Sequence, residues 1–229
     1  MNLFRFIPAV LLLASLFMLQ GMAGCNIASP IAYVLHPEPQ VSAEYTLSNV
    51  PTVIFIDDRR NRINPTRLRR VIADEATTLL MEEGVISEQL MISPRDAMIM
   101  ARRQDRSGTV ISLEKVGELV GAQQLIYMDV EQFALTHDGV LPEPRSISKV
   151  KVLDLVNGKR VFPDPGGEST TDYFTLNVEI PSPSPHGFNT AKVRNEMNDE
   201  LALLTGERLA KLFYNYMESE LGDRLDGPG

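Results

Sequence analysis

The spacing of apolar residues between positions 52 and 130 predicts strands that alternate with helices. Residues 52–56 form a continuous and largely β-branched apolar run, which is typical of a strand buried on both faces of a sheet. Apolar residues then recur at helical spacing from an N-capping Asn64 and a first-turn Pro65 as far as Gly84, which ends the predicted helix. By the same reasoning we expect a short strand, two helices and a second buried strand, over residues 89–92, 94–103, 113–120 and 125–130. This alternation is typical of an α/β fold.

The second half of the chain predicts antiparallel strands followed by a long helix. Asn157-Gly158 is a strong hairpin signal and joins the runs 149–156 and 159–162. Residues 172–180 alternate apolar and polar side chains, which predicts a half-solvated strand near a sheet edge. A helical period then extends over residues 189–217. Together the two halves predict an α/β fold with α+β character in its C-terminal half, a mixed β-sheet of about five strands, packed helices and a long C-terminal helix.

The N-terminus has the pattern of a targeting segment. Arg5 precedes an apolar run over residues 9–19, which is too short to span a membrane comfortably. The stretch Met22-Ala23-Gly24-Cys25 resembles the lipobox of bacterial lipoproteins. That resemblance implies cleavage after Gly24 and a diacylglyceryl group on the sulfur of Cys25, with fatty acyl chains such as palmitate holding the protein on a membrane. The alternative is a buried free cysteine near an ordinary cleavage site.

Prolines mark the segments that we expect to lack long regular elements. Pro30, Pro37 and Pro39 interrupt a stretch without a sustained period, so residues 25–50 are expected to form a tether, with one short strand near 43–47. Two further prolines, Pro142 and Pro144, are assigned to a loop. The expected organisation is a signal peptide, the tether, one α/β domain and a loose tail, over residues 1–24, 25–50, 51–220 and 221–229.

Composition and motifs limit the classes of function. Hydrophobic residues make up 44% of the chain, which is enough for a folded core, and the net charge of -8 argues against a nucleic-acid partner. His36, His137 and His186 have no partner at the spacing of a catalytic or zinc motif. Phosphate-binding glycine loops are likewise absent from the sequence. We therefore expect no cofactor, no metal site and no enzymatic activity.

Two acidic residues give one alternative to that expectation. Asp57 and Asp58 directly follow the first predicted strand, and ligands of open α/β sheets gather outside the carboxyl ends of strands. The two carboxylates could hold a metal ion or act as a base, which would make the protein a metal-dependent hydrolase of the cell envelope. Asp129 and Glu131 on a later strand could join them. The simpler interpretation is a solvated strand exit.

Clustered arginines are the more unusual feature of this acidic chain. Guanidinium groups suit carboxylates and phosphates, so the cluster could bind anionic lipid head groups, a glycan carboxylate or an acidic partner protein. Alternatively, the arginines could pair with Asp57, Asp58, Asp74 or Glu75 on a solvated face. Further arginines at 102, 103 and 106 could extend the cluster. The candidate binding residues are Arg59, Arg60, Arg62, Arg67, Arg69 and Arg70.

Three short segments resemble a known family of small α/β domains. They are the strand over 53–57 with its helix, the segment 116–122 with the strand 125–130, and the hairpin 151–158. Across roughly residues 50–215 this order resembles the N-terminal domain of TolB, the penicillin-binding-protein activator lipoproteins and the curli secretion lipoprotein. The resemblance implies a non-enzymatic module that binds a partner protein of the cell envelope.

The lipobox and the residue after it also carry an expectation about location. A lipidated Cys25 would hold the domain on a membrane, facing the periplasm. Asn26 stands where an aspartate marks inner-membrane retention in some bacteria, which favours the outer membrane.

Overall fold

The computed structural model describes residues 40–105, 111–136, 141–166, 171–181, 188 and 190–217. The predicted signal peptide, Cys25, most of the predicted tether and the predicted tail therefore lie outside the described residues, as do Arg106, His36, His137 and His186. None of the described helices is both long enough and apolar enough to cross a membrane.

Residues 42–216 form one unit of the chain, and the described residues 40, 41 and 217 lie outside it. Two-residue strands, β1 (Gln40–Val41) and β8 (Tyr216–Met217), form a small sheet of their own. The larger sheet consists of β2 (Thr52–Asp57), β3 (Met91–Ile92), β4 (Gln124–Thr136), β5 (Pro142–Asp154), β6 (Lys159–Phe162) and β7 (Phe174–Glu179). The α-helices are α1 (Leu68–Glu82), α2 (Pro94–Asp105), α3 (Leu113–Val120) and α4 (Ala191–Lys211), and a 3₁₀ turn covers Glu88–Leu90.

The larger sheet has the strand order β3-β2-β4-β5-β6, and β7 pairs with β5. Strand β2 is parallel to both β3 and β4, whereas β5 is antiparallel to β4, β6 and β7. The sheet is therefore mixed, with parallel strands from the first half of the chain and antiparallel strands from the second. The predicted α/β fold with α+β character in its C-terminal half is confirmed, with six strands instead of about five.

Alternate residues of β2 face two separate cores, which is why the whole strand is buried. Ile54 and Ile56 belong to the core that contains residues of α1 and α4, whereas Val53 and Phe55 belong to the core that contains residues of α2 and α3. The continuous apolar run in the sequence follows from helices on both faces. This arrangement places the N-termini of α1 and α2 after the carboxyl ends of β2 and β3.

Several predicted boundaries are wrong, each for a local reason. Asn64 does not cap α1, because residues 63–67 form turns and the helix begins at Leu68. The long C-terminal helix ends at Lys211 instead of continuing to residue 217. Pro142 and Pro144 lie in β5 instead of a loop, since that strand begins at Pro142.

Residues 42–50 pack on the folded body although the sequence assigns them to a tether. They form no strand, so the short strand predicted near 43–47 is wrong. Leu47 is nevertheless buried, and the backbone N–H groups of Glu44 and Tyr45 donate to the carbonyl oxygen of Leu212 at 2.9 and 3.1 Å. The buried amide of Gln124 also accepts a hydrogen bond from Ser48 N–H at 3.3 Å. These contacts fix the entry of the chain into the domain.

Helices α1 and α4 approach each other closely at Gly206. A Cβ atom at this position would lie 2.5 Å from the carbonyl oxygen of Ile72 and 2.8 Å from Cβ of Glu75. We expect Gly206→Ala to lower the free energy of unfolding by about 1 to 3 kcal/mol, because overpacking outweighs the higher helix propensity of alanine. Urea denaturation measures the change. Gly166→Ala is the control, since the nearest atom to its Cβ would be an Asp164 oxygen at 3.8 Å. An increase in stability for Gly206→Ala would contradict the close approach.

Candidate functional site

Asp58 holds the loop that connects β2 to α1. Its side chain is 0% exposed, and its two oxygens accept hydrogen bonds from the backbone N–H groups of Arg62 and Ile63 at 2.6 and 2.9 Å. The guanidinium of Arg69 lies 3.1 Å from the same carboxylate and also donates to the side chain of Asn61. Asn61 has a φ of 52°, so the loop makes a tight left-handed step there. Asp58 is therefore engaged in forming the loop.

Asp57 faces a different environment from its neighbour. The Tyr127 hydroxyl donates to Asp57 Oδ2 at 2.9 Å, and Arg59 Nε lies 3.0 Å from the same oxygen. Asp129 is its register partner on β4. A cleft of about 490 Å³ opens beside them, and it is lined by Asp57, Arg59, Arg60, Ile111, Ser112, Leu113, Tyr127 and Asp129. Asp57 and Asp58 therefore do not converge on one cleft.

The carboxylates at this edge of the sheet affect the neighbouring ionisable groups. Burial and the negative charge of Asp57 raise the pKa of Tyr127, so that its hydroxyl stays protonated and continues to donate. Burial, followed by the charge of Asp57, also raises the pKa of Asp129. Among the described residues, no group of three or more His, Cys, Asp or Glu side chains is arranged to hold a metal ion. Glu131 is ion-paired with Lys149 at 2.6 Å.

The six candidate arginines lie in four different environments. Arg59 and Arg60 border the cleft beside Asp57, and Arg69 supports the loop through Asp58. Arg62 is exposed, and its backbone N–H is bound by Asp58. Arg67 and Arg70 line a separate cleft between α1 and α2. The cluster seen in the sequence is therefore divided by the fold.

The cleft between α1 and α2 collects arginines from both helices. It has a volume of about 380 Å³ and is lined by Thr66, Arg67, Arg70, Arg95, Met98, Ile99 and Arg102. The sequence indicated Arg102 only as an extension of the cluster, and it did not single out Arg95 or Ile99. Their spacing in the sequence contained the signal, because positions 95, 98, 99 and 102 share one face of a helix. We call this feature the arginine cleft.

The charges of the arginine cleft are only partly balanced. Arg67 pairs with Asp199 of α4 at 2.6 Å, on the exposed surface. Within the described part of the chain, Arg70, Arg95 and Arg102 have no carboxylate within ion-pair distance. Burial raises the pKa of Asp74, and the charges of Arg70 and Arg95 oppose that rise.

The arginines at the start of α1 are in an unfavourable position relative to the helix dipole. The first turn of a helix favours acidic side chains by about 0.3 to 1 kcal/mol each. Helix α1 has no acidic residue in its first turn, where it has Arg69 and Arg70 instead, and Arg67 directly precedes it. Arg69 is compensated by Asp58, and Arg67 by Asp199. Arg70 forms no ion pair among the described residues, although the charge of Asp74 acts on it from the next turn of α1.

Comparisons with known proteins give no family for this chain. No protein-family model matches it, and no curated protein matches it. Among solved structures, it is similar to the PelC dodecamer from Paraburkholderia phytofirmans at 16% identity, with a TM-score of 0.38, covering 77% of this chain and 96% of that one.

Two further solved structures show similarity of the same degree. Lipoprotein GNA1162 from Neisseria meningitidis is 14% identical with a TM-score of 0.33, covering 65% of this chain and 94% of that one. The hypothetical protein CT253 from Chlamydia trachomatis is 17% identical with a TM-score of 0.38, covering 78% and 96%. These TM-scores are below 0.5, so the functional argument rests on the residues of this chain alone.

The buried Asp58 should contribute more to stability than acidic residues at the surface do. We expect Asp58→Ala to lower the free energy of unfolding by about 2 to 4 kcal/mol, because the buried N–H group of Ile63 and the partly buried N–H group of Arg62 lose their acceptor and Arg69 loses its counter-ion. Chemical denaturation measures the change. Asp172→Ala is the control, since that side chain is 83% exposed and pairs with Arg160 at the surface. Equal effects of the two substitutions would contradict a structural role for Asp58.

The raised pKa of Asp129 predicts a pH-dependent effect of its replacement. Because folding favours the protonated carboxyl, its ionised form destabilises the protein above the raised pKa, and the penalty vanishes below the ordinary value of 3.8. We expect Asp129→Asn to stabilise the protein at neutral pH by less than about 1 kcal/mol, since solvent screens this partly exposed group. Thermal unfolding from pH 7 to pH 3 should show the gain shrinking as the pH falls. A gain that grows towards low pH would contradict this assignment.

Proposed function

We propose that the protein is a lipid-anchored protein of the cell envelope that binds a partner protein and catalyses no reaction. The anchor rests on the resemblance of residues 22–25 to a lipobox, with Cys25 as the lipidated residue. The folded domain would then face the periplasm, with the outer membrane favoured by Asn26. The arginine cleft is the observation that carries the binding role.

The arginine cleft supports binding because folding alone does not explain it. Arg70, Arg95 and Arg102 come from two helices and lie around one concavity without ion-pair partners in the described chain. In the unbound protein, solvent screens the repulsion between these positive charges. A negatively charged partner would replace that solvent and balance the charges directly. A protein with a net charge of -8 has no general excess of cations, so their concentration in one cleft favours a specific role.

The hydrolase alternative has less support from the geometry. Both oxygens of Asp58 are engaged by loop N–H groups, and Asp57 is engaged by Tyr127 and Arg59. A metal site or a general base at Asp57 would require these contacts to break. Binding of anionic lipid or glycan would use the same arginines, and the comparison with lipid vesicles below separates lipid binding from protein binding.

The proposal predicts a modified N-terminus and a dominant envelope partner. Intact-mass measurement of the natively expressed protein should show a chain that begins at Cys25 and carries acyl chains. Crosslinking in cells, followed by purification, should recover one protein in near-stoichiometric amount, because a specific interface of ordinary size excludes most competitors.

Two variants serve as controls for this experiment. Cys25→Ala should abolish acylation, and Arg103→Glu should leave the recovered protein unchanged, since Arg103 is exposed on α2 and does not line the arginine cleft. An N-terminus at another residue, without lipid, would contradict the anchor. A lipidated protein that recovers no partner would contradict the binding role.

A further inference from the structure

We infer that the arginine cleft receives an acidic segment of a partner protein, in which carboxylates flank an apolar side chain. This inference rests on the proposed function and specifies the chemistry of the partner. It combines two properties of the cleft, the kind of cation at its rim and the kind of side chain between the cations.

The cations of the arginine cleft are all guanidinium groups. The whole sequence contains 22 lysines and arginines, yet no lysine lines this cleft. A guanidinium is planar and presents paired N–H donors, which match the two oxygens of one carboxylate, whereas an ammonium acts as a point charge. Arg67 already forms such a pair within the chain, because its two Nη atoms lie 2.6 and 2.9 Å from the two oxygens of Asp199. One guanidinium of this cleft is therefore already paired with a carboxylate through two parallel contacts.

Apolar side chains lie between the guanidinium groups. Met98 and Ile99 are half-buried and occupy the turn of α2 that separates Arg95 from Arg102. A ligand with only charged groups would leave this apolar surface in water or in contact with polar atoms. Its binding would then gain no free energy from burial of apolar surface. A leucine-sized side chain would remove it from water, and methionine adapts its shape to such partners.

The shape of the arginine cleft favours a polypeptide segment over a membrane surface. Arg67 directly precedes α1 and Arg70 belongs to it, whereas Arg95 and Arg102 belong to α2, so the cations surround a concavity of about 380 Å³. A flat layer of lipid head groups contacts cations that project from a convex face. Side chains of a partner can instead enter a concavity.

Asp74 limits what the arginine cleft can bind. Its charge acts on Arg70 and Arg95 from α1, although neither arginine lies within ion-pair distance of its carboxylate. An incoming carboxylate must compete with this charge, so one carboxylate on its own would bind weakly. Several carboxylates in one segment, joined to an apolar anchor, would overcome the competition.

A labelled peptide with two glutamates on each side of one leucine is the probe. Its affinity for the mature full-length protein in detergent is measured by fluorescence anisotropy. Arg70→Glu with Arg95→Glu should weaken binding by at least about tenfold, because hydrogen bonds to charged groups are lost and repulsion replaces them. Arg103→Glu on the same helix is the matched control and should leave the affinity unchanged.

Two further comparisons separate carboxylate recognition from general attraction. Arg70→Lys with Arg95→Lys keeps the charge and loses the paired donors, so binding should weaken by several-fold. Replacement of the peptide's leucine by serine should weaken binding to the wild-type protein, and this difference should disappear in Met98→Ala. Circular dichroism and thermal unfolding confirm that each variant is folded.

Four results would overturn the inference. They are absence of peptide binding, equal weakening by Arg103→Glu, full affinity in the double lysine variant, and tighter binding to phosphatidylglycerol vesicles or inorganic phosphate than to the peptide. If the partner is still recovered from cells when any of these is observed, the proposed function stands and only the assignment to the arginine cleft fails. Failure to recover a partner contradicts the proposed function, whereas the peptide result decides the inference by itself.

Discussion

The carboxylate of Asp58 is the contact on which the arrangement of this protein's surface depends. It lies one residue beyond β2 and binds the N–H groups of Arg62 and Ile63, so the chain must turn immediately after the central strand. It also balances Arg69 in the first turn of α1. The buried carboxylate of Asp58 thereby determines where α1 begins. The start of α1 in turn determines the positions of Arg67 and Arg70 relative to α2.

Much of the fold could be predicted from the sequence because its signals are local. The β-branched run of β2 and the Asn157-Gly158 turn reflect backbone and packing preferences that act over a few residues. The prediction for the start of α1 is wrong because Asn64-Pro65 fits a helix start locally, whereas hydrogen bonds to Asp58 keep the loop in a non-helical conformation and the helix begins only at Leu68. Leu47 was assigned to a tether because its burial depends on elements far away in sequence.

The sequence indicated the candidate site only in part. The high density of arginines marks residues 59–70 as unusual. It does not distinguish the role of Arg69, which supports a loop, from that of Arg70, which lines a cleft. Arg95 was missed because it lies 25 positions along the chain from Arg70 and the two meet only in the fold. Asp57 is the last residue of β2 and Asp58 is the first residue of the loop, so the two adjacent carboxylates face different surroundings, which their adjacency in the sequence does not reveal.

Amide hydrogen exchange at Arg62 and Ile63 tests the central role of Asp58 most directly. The account predicts slow exchange of both amides in the wild-type protein and fast exchange in Asp58→Asn, with the amides of the buried part of α4 unchanged, because only the loop loses its acceptors. Fast exchange of both amides in the wild-type protein would contradict the account. Unchanged slow exchange in Asp58→Asn would contradict it as well, since something other than the carboxylate would then hold the loop.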